Sequence, residues 1–232
     1  MQSLSHEQCR SRQAFFFTLK IVSLHLQIRC KDNNCLLNNN KNAIEFQPKW
    51  RFESDKMDKK AIRKEIKRQT LALTSAQSES QSETVVRHLL EIISQREPQT
   101  VALFSPLKDE VQISPLAEEL ACRVVLPRVE GDDMEFYDYT ADALAEGSFG
   151  ISEPQGGEPC RAEEIDLMVV PGVAFTASGD RLGRGKGYYD KYLSREGFRA
   201  YCVGVCYAHQ LVTQLPVEPH DRAMDEIVVG GE

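Results

Sequence analysis

The sequence of 232 residues lacks any apolar run near the roughly 20 residues that span a bilayer, which argues against a membrane protein. It also lacks an excess of basic charge: 28 Lys and Arg stand against 35 Asp and Glu, and the net charge of −7 argues against a nucleic-acid-binding protein. The seven cysteines lack the even count and spacing of a secreted disulfide framework. They favour a reducing compartment, and we expect a cytoplasmic protein.

The charge that is present is distributed unevenly along the chain. The first 56 residues contain nine Lys and Arg against five Asp and Glu, whereas the rest of the chain is acidic. A different kind of sequence begins at Met57. We therefore predict that residues 1–56 are not part of the fold and are either an upstream translation artefact or a dispensable arm. We predict one domain over residues 57–232.

Helical and strand patterns alternate after Met57. Ile62 and Ile66 are four residues apart in a basic helix, and a second helix follows Ser75 and stops at Pro98. Short apolar runs typical of buried strands recur at residues 100–104, 124–126, 135–139, 167–170, 201–206 and 227–229. This alternation predicts an α/β domain of three layers, with a largely parallel central sheet and helices on both faces.

The most informative segment is a glycine-rich loop between a predicted strand and a predicted helix at residues 188–195. Alternate glycines at 183, 185 and 187 let backbone N–H groups approach a ligand closely, and the helix N-terminus adds further N–H donors. Arg181, Arg184 and Lys186 place three cations in the same span. The loop therefore predicts a polyphosphate site. The alternative is a flexible, solvated basic loop.

Two common phosphate-binding motifs do not fit this loop. Lys186 is followed by Gly187 rather than by Ser or Thr, so the loop is not a Walker A motif. The third glycine of the dinucleotide-binding fingerprint is also missing.

The stretch RLGRGKGYYD, residues 181–190, closely resembles the signature of the 5-formyltetrahydrofolate cyclo-ligase (5,10-methenyltetrahydrofolate synthetase) family. Three other stretches are similar to that family: KKAIR at 59–63, FSPLKDEV at 104–111, and the segment from His220 to Ile227. The resemblance covers residues 57–229. One departure is Ile113, where the family often has threonine.

The resemblance implies an enzyme that converts 5-formyltetrahydrofolate to 5,10-methenyltetrahydrofolate with hydrolysis of ATP to ADP and phosphate. It implies Lys186, Arg184 and Tyr188 as catalytic residues, with Mg²⁺ held by Asp190 and Asp225. The partners it implies are small molecules, the folate and ATP, and we expect a monomer that binds neither nucleic acid nor a membrane.

The resemblance also distributes the binding residues over the chain. The implied ATP-binding residues are Lys59, Lys60, Ala61, Ile62, Arg63, Arg181, Leu182, Gly183, Arg184, Gly185, Lys186, Gly187, Tyr188 and Tyr189. The implied folate-binding residues are Ser105, Glu110, Arg184, Gly185, Lys186, Gly187 and Tyr188.

Several residue types carry less information. Cys202 and Cys206 are predicted to be buried thiols on one face of a strand, because no His or second Cys pair lies nearby in the sequence. His88 and His209 are interpreted as structural or surface residues. Two other functions stay open: a non-catalytic nucleotide- or sugar-phosphate-binding module, and an ATP-dependent ligase on another small substrate.

Overall fold

Helices form where the sequence places apolar residues on one face and capping residues at the ends. In the computed structural model, which describes residues 58–140, 144–146, 152–218 and 221–231, Asp58 caps the first helix, and Thr74 forms a capping box with Gln77 in the second. The α-helices are α1 (Lys59–Thr70), α2 (Ser75–Arg96), α3 (Leu116–Glu119) and α4 (Tyr188–Leu193). The predicted extension, residues 1–56, lies outside the described residues.

The described ranges contain eleven strands, six of which coincide with the short apolar runs of the sequence, within one or two residues at most ends. They are β1 (Thr100–Ala102), β2 (Arg123–Glu130), β3 (Asp133–Asp138), β4 (Leu144–Glu146), β5 (Ser152–Pro154), β6 (Leu167–Pro171), β7 (Ala174–Thr176), β8 (Arg181–Leu182), β9 (Tyr201–Tyr207), β10 (Leu211–Val212) and β11 (Glu226–Gly230).

Six of these strands make the central sheet, in the order β11-β9-β6-β1-β2-β3. Neighbours are parallel from β11 to β2, and only β3 runs antiparallel, as the second arm of a hairpin with β2. The carboxyl ends of five strands therefore meet at one edge, which we call the carboxyl edge. In open α/β sheets this edge is where ligands bind.

Alternating side chains of the strands enter two cores, one on each face of the sheet. Val203 and Val205 of β9 pack against α2, while Cys202 and Cys206 face the opposite core, to which α4 contributes Tyr192 and Leu193. Both thiols are fully buried, as predicted. The expected α/β fold, with a largely parallel sheet and helices on both faces, is confirmed.

Two small sheets were not predicted. β10, β7 and β8 form one of them, and β4 and β5 form the other. Strands of two or three residues are too short to show a period in the sequence. Within the described part of the chain, no helix is both long and apolar enough to cross a membrane.

Candidate active site

Backbone geometry makes the loop from β8 to α4 dependent on glycine. Gly185 has φ of +96° and Gly187 has φ of +75°, in the region that L side chains rarely adopt. Gly187 is the N-cap of α4, and its carbonyl accepts from Lys191 N–H. These turns bring the backbone of residues 183–187 to the protein surface beside α1.

Helix α1 is fixed against this loop by apolar packing and one long-range hydrogen bond. Ile62 and Ile66 are buried in a small core that includes Leu182. Arg63 Nε donates to the carbonyl of Gly183 at 2.8 Å, and the Arg63 guanidinium lies beside Gly185. The two segments predicted to bind ATP phosphates are therefore in contact.

The first helical lysine is already paired with carboxylates. Lys59 Nζ lies 2.9 Å from Glu218 and 3.4 Å from Asp221, in the segment that precedes β11. Partial burial lowers the pKa of Lys59, but the bonds to these two carboxylates outweigh burial and raise it overall. His220, in the same family-like segment, lies outside the described residues.

Arg184 of the loop reaches across to the segment that follows β1. Its Nε donates to Glu110 Oε1 at 2.8 Å, and its NH2 and NH1 donate to the two oxygens of Asp109 at 2.7 and 3.2 Å. Burial lowers the pKa of Arg184, but these bonds outweigh that effect and raise it. The predicted phosphate loop and the predicted folate residue thus meet at the carboxyl edge.

Glu110 is held from several sides, which fixes both its backbone and its carboxylate. The Leu107 N–H donates to Oε2 at 3.0 Å, and the buried Tyr207 hydroxyl donates to the Glu110 carbonyl at 2.8 Å. Gln112 donates to the same carbonyl. Ser105, also predicted to bind folate, lies partly buried just before this turn.

Arg181 is a buried cation rather than an exposed one. Its side chain is 4% exposed, it is paired with Asp190, and its NH1 donates to the Pro171 carbonyl. Its Nε is buried without a hydrogen-bond partner in the described structure. The guanidinium also lies 5.7 Å from the ring of Tyr189, whose pKa is raised by burial. Arg181 therefore stabilises the base of the loop.

The remaining predicted ATP residues divide into exposed and buried groups. Lys60, Ala61 and Lys186 are exposed, and neither lysine forms an ion pair with any residue in the described ranges. Ile62 and Leu182, by contrast, have side chains buried in the core. Those two side chains point away from solvent, so only their backbone atoms can face a ligand.

Tyr188 joins the loop to the β2–β3 hairpin. Its hydroxyl donates to the Gly131 carbonyl at 3.4 Å, and Lys191 Nζ donates to the Asp132 carbonyl at 2.7 Å. Tyr188 is half-buried. Tyr188 therefore links the end of the glycine-rich loop to the β2–β3 hairpin, a contact that the sequence did not indicate.

The two predicted magnesium ligands have different surroundings. Asp190 pairs with Arg181 and keeps 34% of its side chain exposed. Asp225 precedes β11, at the amino end of the sheet, where its Oδ2 accepts from Cys202 N–H at 2.7 Å. Among residues 58–140, 144–146, 152–218 and 221–231, no cluster of three or more His, Cys, Asp or Glu side chains is arranged to hold a metal.

Three site residues were missed by sequence reasoning. The sequence assigned no role to Asp109, Tyr207 or Glu218, and Tyr207 lies one residue beyond the strand predicted at residues 201–206. Only Asp109 could have been found from the sequence, because it directly precedes Glu110, the residue predicted to bind folate. The contacts of Tyr207 and Glu218 depend on segments that are distant in the sequence.

Comparison with known proteins identifies the family of this chain. Residues 55–230 match the 5-formyltetrahydrofolate cyclo-ligase family. The 5-formyltetrahydrofolate cyclo-ligase of Haemophilus influenzae is 31% identical over 179 residues, covering 73% of this chain and 96% of the relative. The mouse cyclo-ligase is 26% identical over 187 residues, covering 73% of this chain and 92% of the mouse protein.

A solved structure is also similar. The NMR structure of Aquifex aeolicus 5,10-methenyltetrahydrofolate synthetase is 36% identical and superposes with a TM-score of 0.69, covering 76% of this chain and 91% of that protein. The family inferred from residues 181–190 is thus confirmed by sequence and by fold. The chain belongs to the 5-formyltetrahydrofolate cyclo-ligase family.

Proposed function

We infer that this chain catalyses the ATP-dependent conversion of 5-formyltetrahydrofolate to 5,10-methenyltetrahydrofolate, with ADP and phosphate as the other products. Family membership supports the reaction. The observation that links the reaction to a particular site is the hydrogen bond between Arg184 of the glycine-rich loop and Glu110. This contact supports a proposed triphosphate site adjacent to the proposed folate site, as phosphoryl transfer between the two substrates requires.

The proposed reaction has two steps. The formyl oxygen of the folate attacks the γ-phosphorus of ATP, the bond to the ADP oxygen breaks, and a phosphorylated imidate forms. N10 then attacks the activated formyl carbon and loses its proton to solvent, the C–O bond to phosphate breaks, and the ring closes. Neither step needs a protein nucleophile, so the protein's work is to position the substrates and stabilise negative charge.

Lys186 is the cation best placed for the transferred phosphoryl group. It is exposed on the glycine-rich loop and carries no ion pair within the described chain, so its charge is available to a ligand. Arg63 and the N–H groups of residues 183–187 complete the phosphate side. Glu110 accepts hydrogen bonds from pterin N–H groups on the folate side, and Tyr188 borders the formyl group.

Magnesium is proposed to enter with ATP. Magnesium keeps few protein ligands in nucleotide sites and takes most of its oxygens from phosphate and water. The partly exposed carboxylate of Asp190, in the first turn after the loop, fits that limited role, whereas the placement of Asp225 at the amino end of β11 gives its predicted role no support. When bound, the ion neutralises phosphate charge.

A direct assay tests the function. Purified chain with 5-formyltetrahydrofolate and MgATP is expected to generate the near-ultraviolet absorbance of the methenyl product, with matching release of phosphate. Omission of ATP is the control. If wild-type protein gives no ATP-dependent absorbance change, the proposed function is wrong, and the nucleotide-binding module or a ligase for another substrate takes its place.

The wider setting of the protein follows from the same proposal. We propose that its partners are the two small substrates, that it acts as a monomer in the cytoplasm, and that it binds neither nucleic acid nor membranes. The acidic net charge of −7 supports the proposal about nucleic acid. Sedimentation of the purified chain across a concentration series checks the monomer.

A further inference from the structure

The guanidinium of Arg184 has two hydrogen-bonding edges, and carboxylates occupy both. Arg184 Nε donates a hydrogen bond to Glu110 Oε1 at 2.8 Å. Asp109 takes the outer edge as a bidentate partner, with NH2 at 2.7 Å and NH1 at 3.2 Å. Two parallel N–H donors on that outer edge are the arrangement with which arginine binds a phosphate. A carboxylate of the protein therefore occupies the place that a phosphate would take.

The two acids differ in how firmly they are held. The Glu110 side chain is 11% exposed, and the Leu107 N–H fixes its second oxygen. The Asp109 side chain is 27% exposed, and the Arg184 side chain is 41% exposed. Ion pairs with this much solvent contribute little to stability, so a phosphate can replace Asp109 at low cost. Glu110 can keep its bond to Nε during that replacement.

We propose that Asp109 is a positioning residue that occupies the phosphate-binding edge of Arg184 before nucleotide binds and is displaced by an ATP phosphate. This inference rests on the proposed function, because ATP supplies the incoming phosphate. Asp109 keeps the guanidinium extended toward Glu110, so Arg184 is oriented before ATP arrives. The same contact competes with ATP, and the competition lowers nucleotide affinity.

The test is the affinity of a non-hydrolysable ATP analogue with magnesium, measured by titration calorimetry at fixed ionic strength. Asp109→Asn removes the competing charge and is expected to tighten binding about threefold to fivefold, in line with the modest energy of an exposed ion pair. A variant that merely damaged the loop would bind more weakly. Glu119→Gln, which removes an exposed acid in α3, is the matched control and is expected to leave affinity unchanged.

A second background separates competition at Arg184 from a general effect of charge. In an Arg184→Gln protein the edge that Asp109 occupies is gone, so Asp109→Asn is expected to change analogue affinity by less than about 1.5-fold. An equal gain in both backgrounds would overturn the proposal, as would unchanged or weaker binding by Asp109→Asn alone.

The proposal and the proposed function fail in different ways. If wild-type protein forms the methenyl product but Asp109→Asn leaves analogue affinity unaltered, only the role of Asp109 is wrong. If wild-type protein forms no product while the affinity gain and its dependence on Arg184 are found, the cyclo-ligase function is wrong and the exchange at Arg184 stands.

Discussion

The cations of the glycine-rich loop differ in whether they already form ion pairs with carboxylates of the protein. Arg181 is buried against Asp190, and Arg184 is shared between Asp109 and Glu110. Lys186 is exposed and has no such partner in the described structure. A cation that has no ion-pair partner before substrate binds is not shared with a carboxylate. Its whole charge can therefore stabilise the negative charge that develops in the transition state. At the scale of single residues, Lys186 is thus the cation that we propose contributes most to the electrostatic stabilisation by the loop.

Replacement of Lys186 by Ala is expected to lower kcat/KM by about a hundredfold or more, as for loss of one preorganised charge-stabilising group. The free energy of unfolding is expected to change by less than about 0.5 kcal/mol, because the side chain is exposed. Steady-state kinetics and urea denaturation measure the two quantities. Lys64→Ala, an exposed lysine of α1, is the control. Activity within tenfold of wild type would contradict the assignment.

His209 gives the protein a defined dependence of stability on pH. Burial lowers its pKa to about 4, its Nε2 lies 2.8 Å from Thr70 Oγ1, and its ring stacks on Tyr207. In the unfolded chain the pKa of this histidine is near 6.5. Between about pH 4 and 6.5 the unfolded chain therefore binds a proton at His209 that the folded chain does not bind. The contribution of the neutral histidine to the free energy of unfolding is present above about pH 6.5 and is lost as the pH falls toward 4.

His209→Gln is therefore expected to reduce the loss of unfolding free energy between about pH 6.5 and 4 relative to wild type. Urea denaturation at several pH values measures this slope, and other titrating groups cancel in the comparison. An identical slope in the two proteins would show that His209 does not remain neutral in the folded chain.

At the scale of elements, the turn between β7 and β8 depends on one close backbone approach. Gly179 has φ of +94°, and a Cβ there would lie 2.4 Å from the Met224 carbonyl oxygen. The same two residues share a backbone hydrogen bond of 2.8 Å, from Met224 N to Gly179 O. This contact joins the turn that leads into the glycine-rich loop to the segment that leads into β11.

Gly179→Ala is expected to destabilise the fold by about 1–3 kcal/mol more than Gly156→Ala, because a backbone atom cannot move aside as a flexible side chain can. Gly156 is the matched control: its φ is also positive, at +71°, but nothing lies within 4 Å of its added Cβ. Both variants place alanine at a positive φ and share that conformational cost. The difference between their free energies of unfolding therefore reports the clash with the Met224 carbonyl. Equal unfolding free energies would mean that the turn and the β11 segment separate easily.

For the whole molecule, the prediction concerns which part of the chain is needed. The family match covers residues 55–230, and the proposed site uses residues from Lys59 to Asp221. A chain of residues 57–232 is expected to retain kcat/KM within about twofold and to unfold at the same urea concentration as the full chain. Loss of activity or solubility in the shorter chain would assign a role to residues 1–56. Mass spectrometry of the endogenous protein identifies its N-terminus.

Local patterns determined much of this fold. Ile62 and Ile66 are spaced for one helix face and are both buried, and the short apolar runs became strands of the central sheet. The glycines and cations of residues 181–190 identified the family, because the residues that carry the resemblance lie close together in the sequence. These features depend on neighbours along the chain, which sequence patterns report directly.

Only the tertiary structure decided which distant groups meet. Arg63 and Gly183 are 120 residues apart, and Arg184 and Glu110 are 74 apart, yet each pair is hydrogen-bonded. Periodicity tells which face of an element is buried but not which element lies beside it. The order of the strands brings the ends of β1, β6 and β9 to the carboxyl edge, and that order alone places Asp109 and Tyr207 at the site.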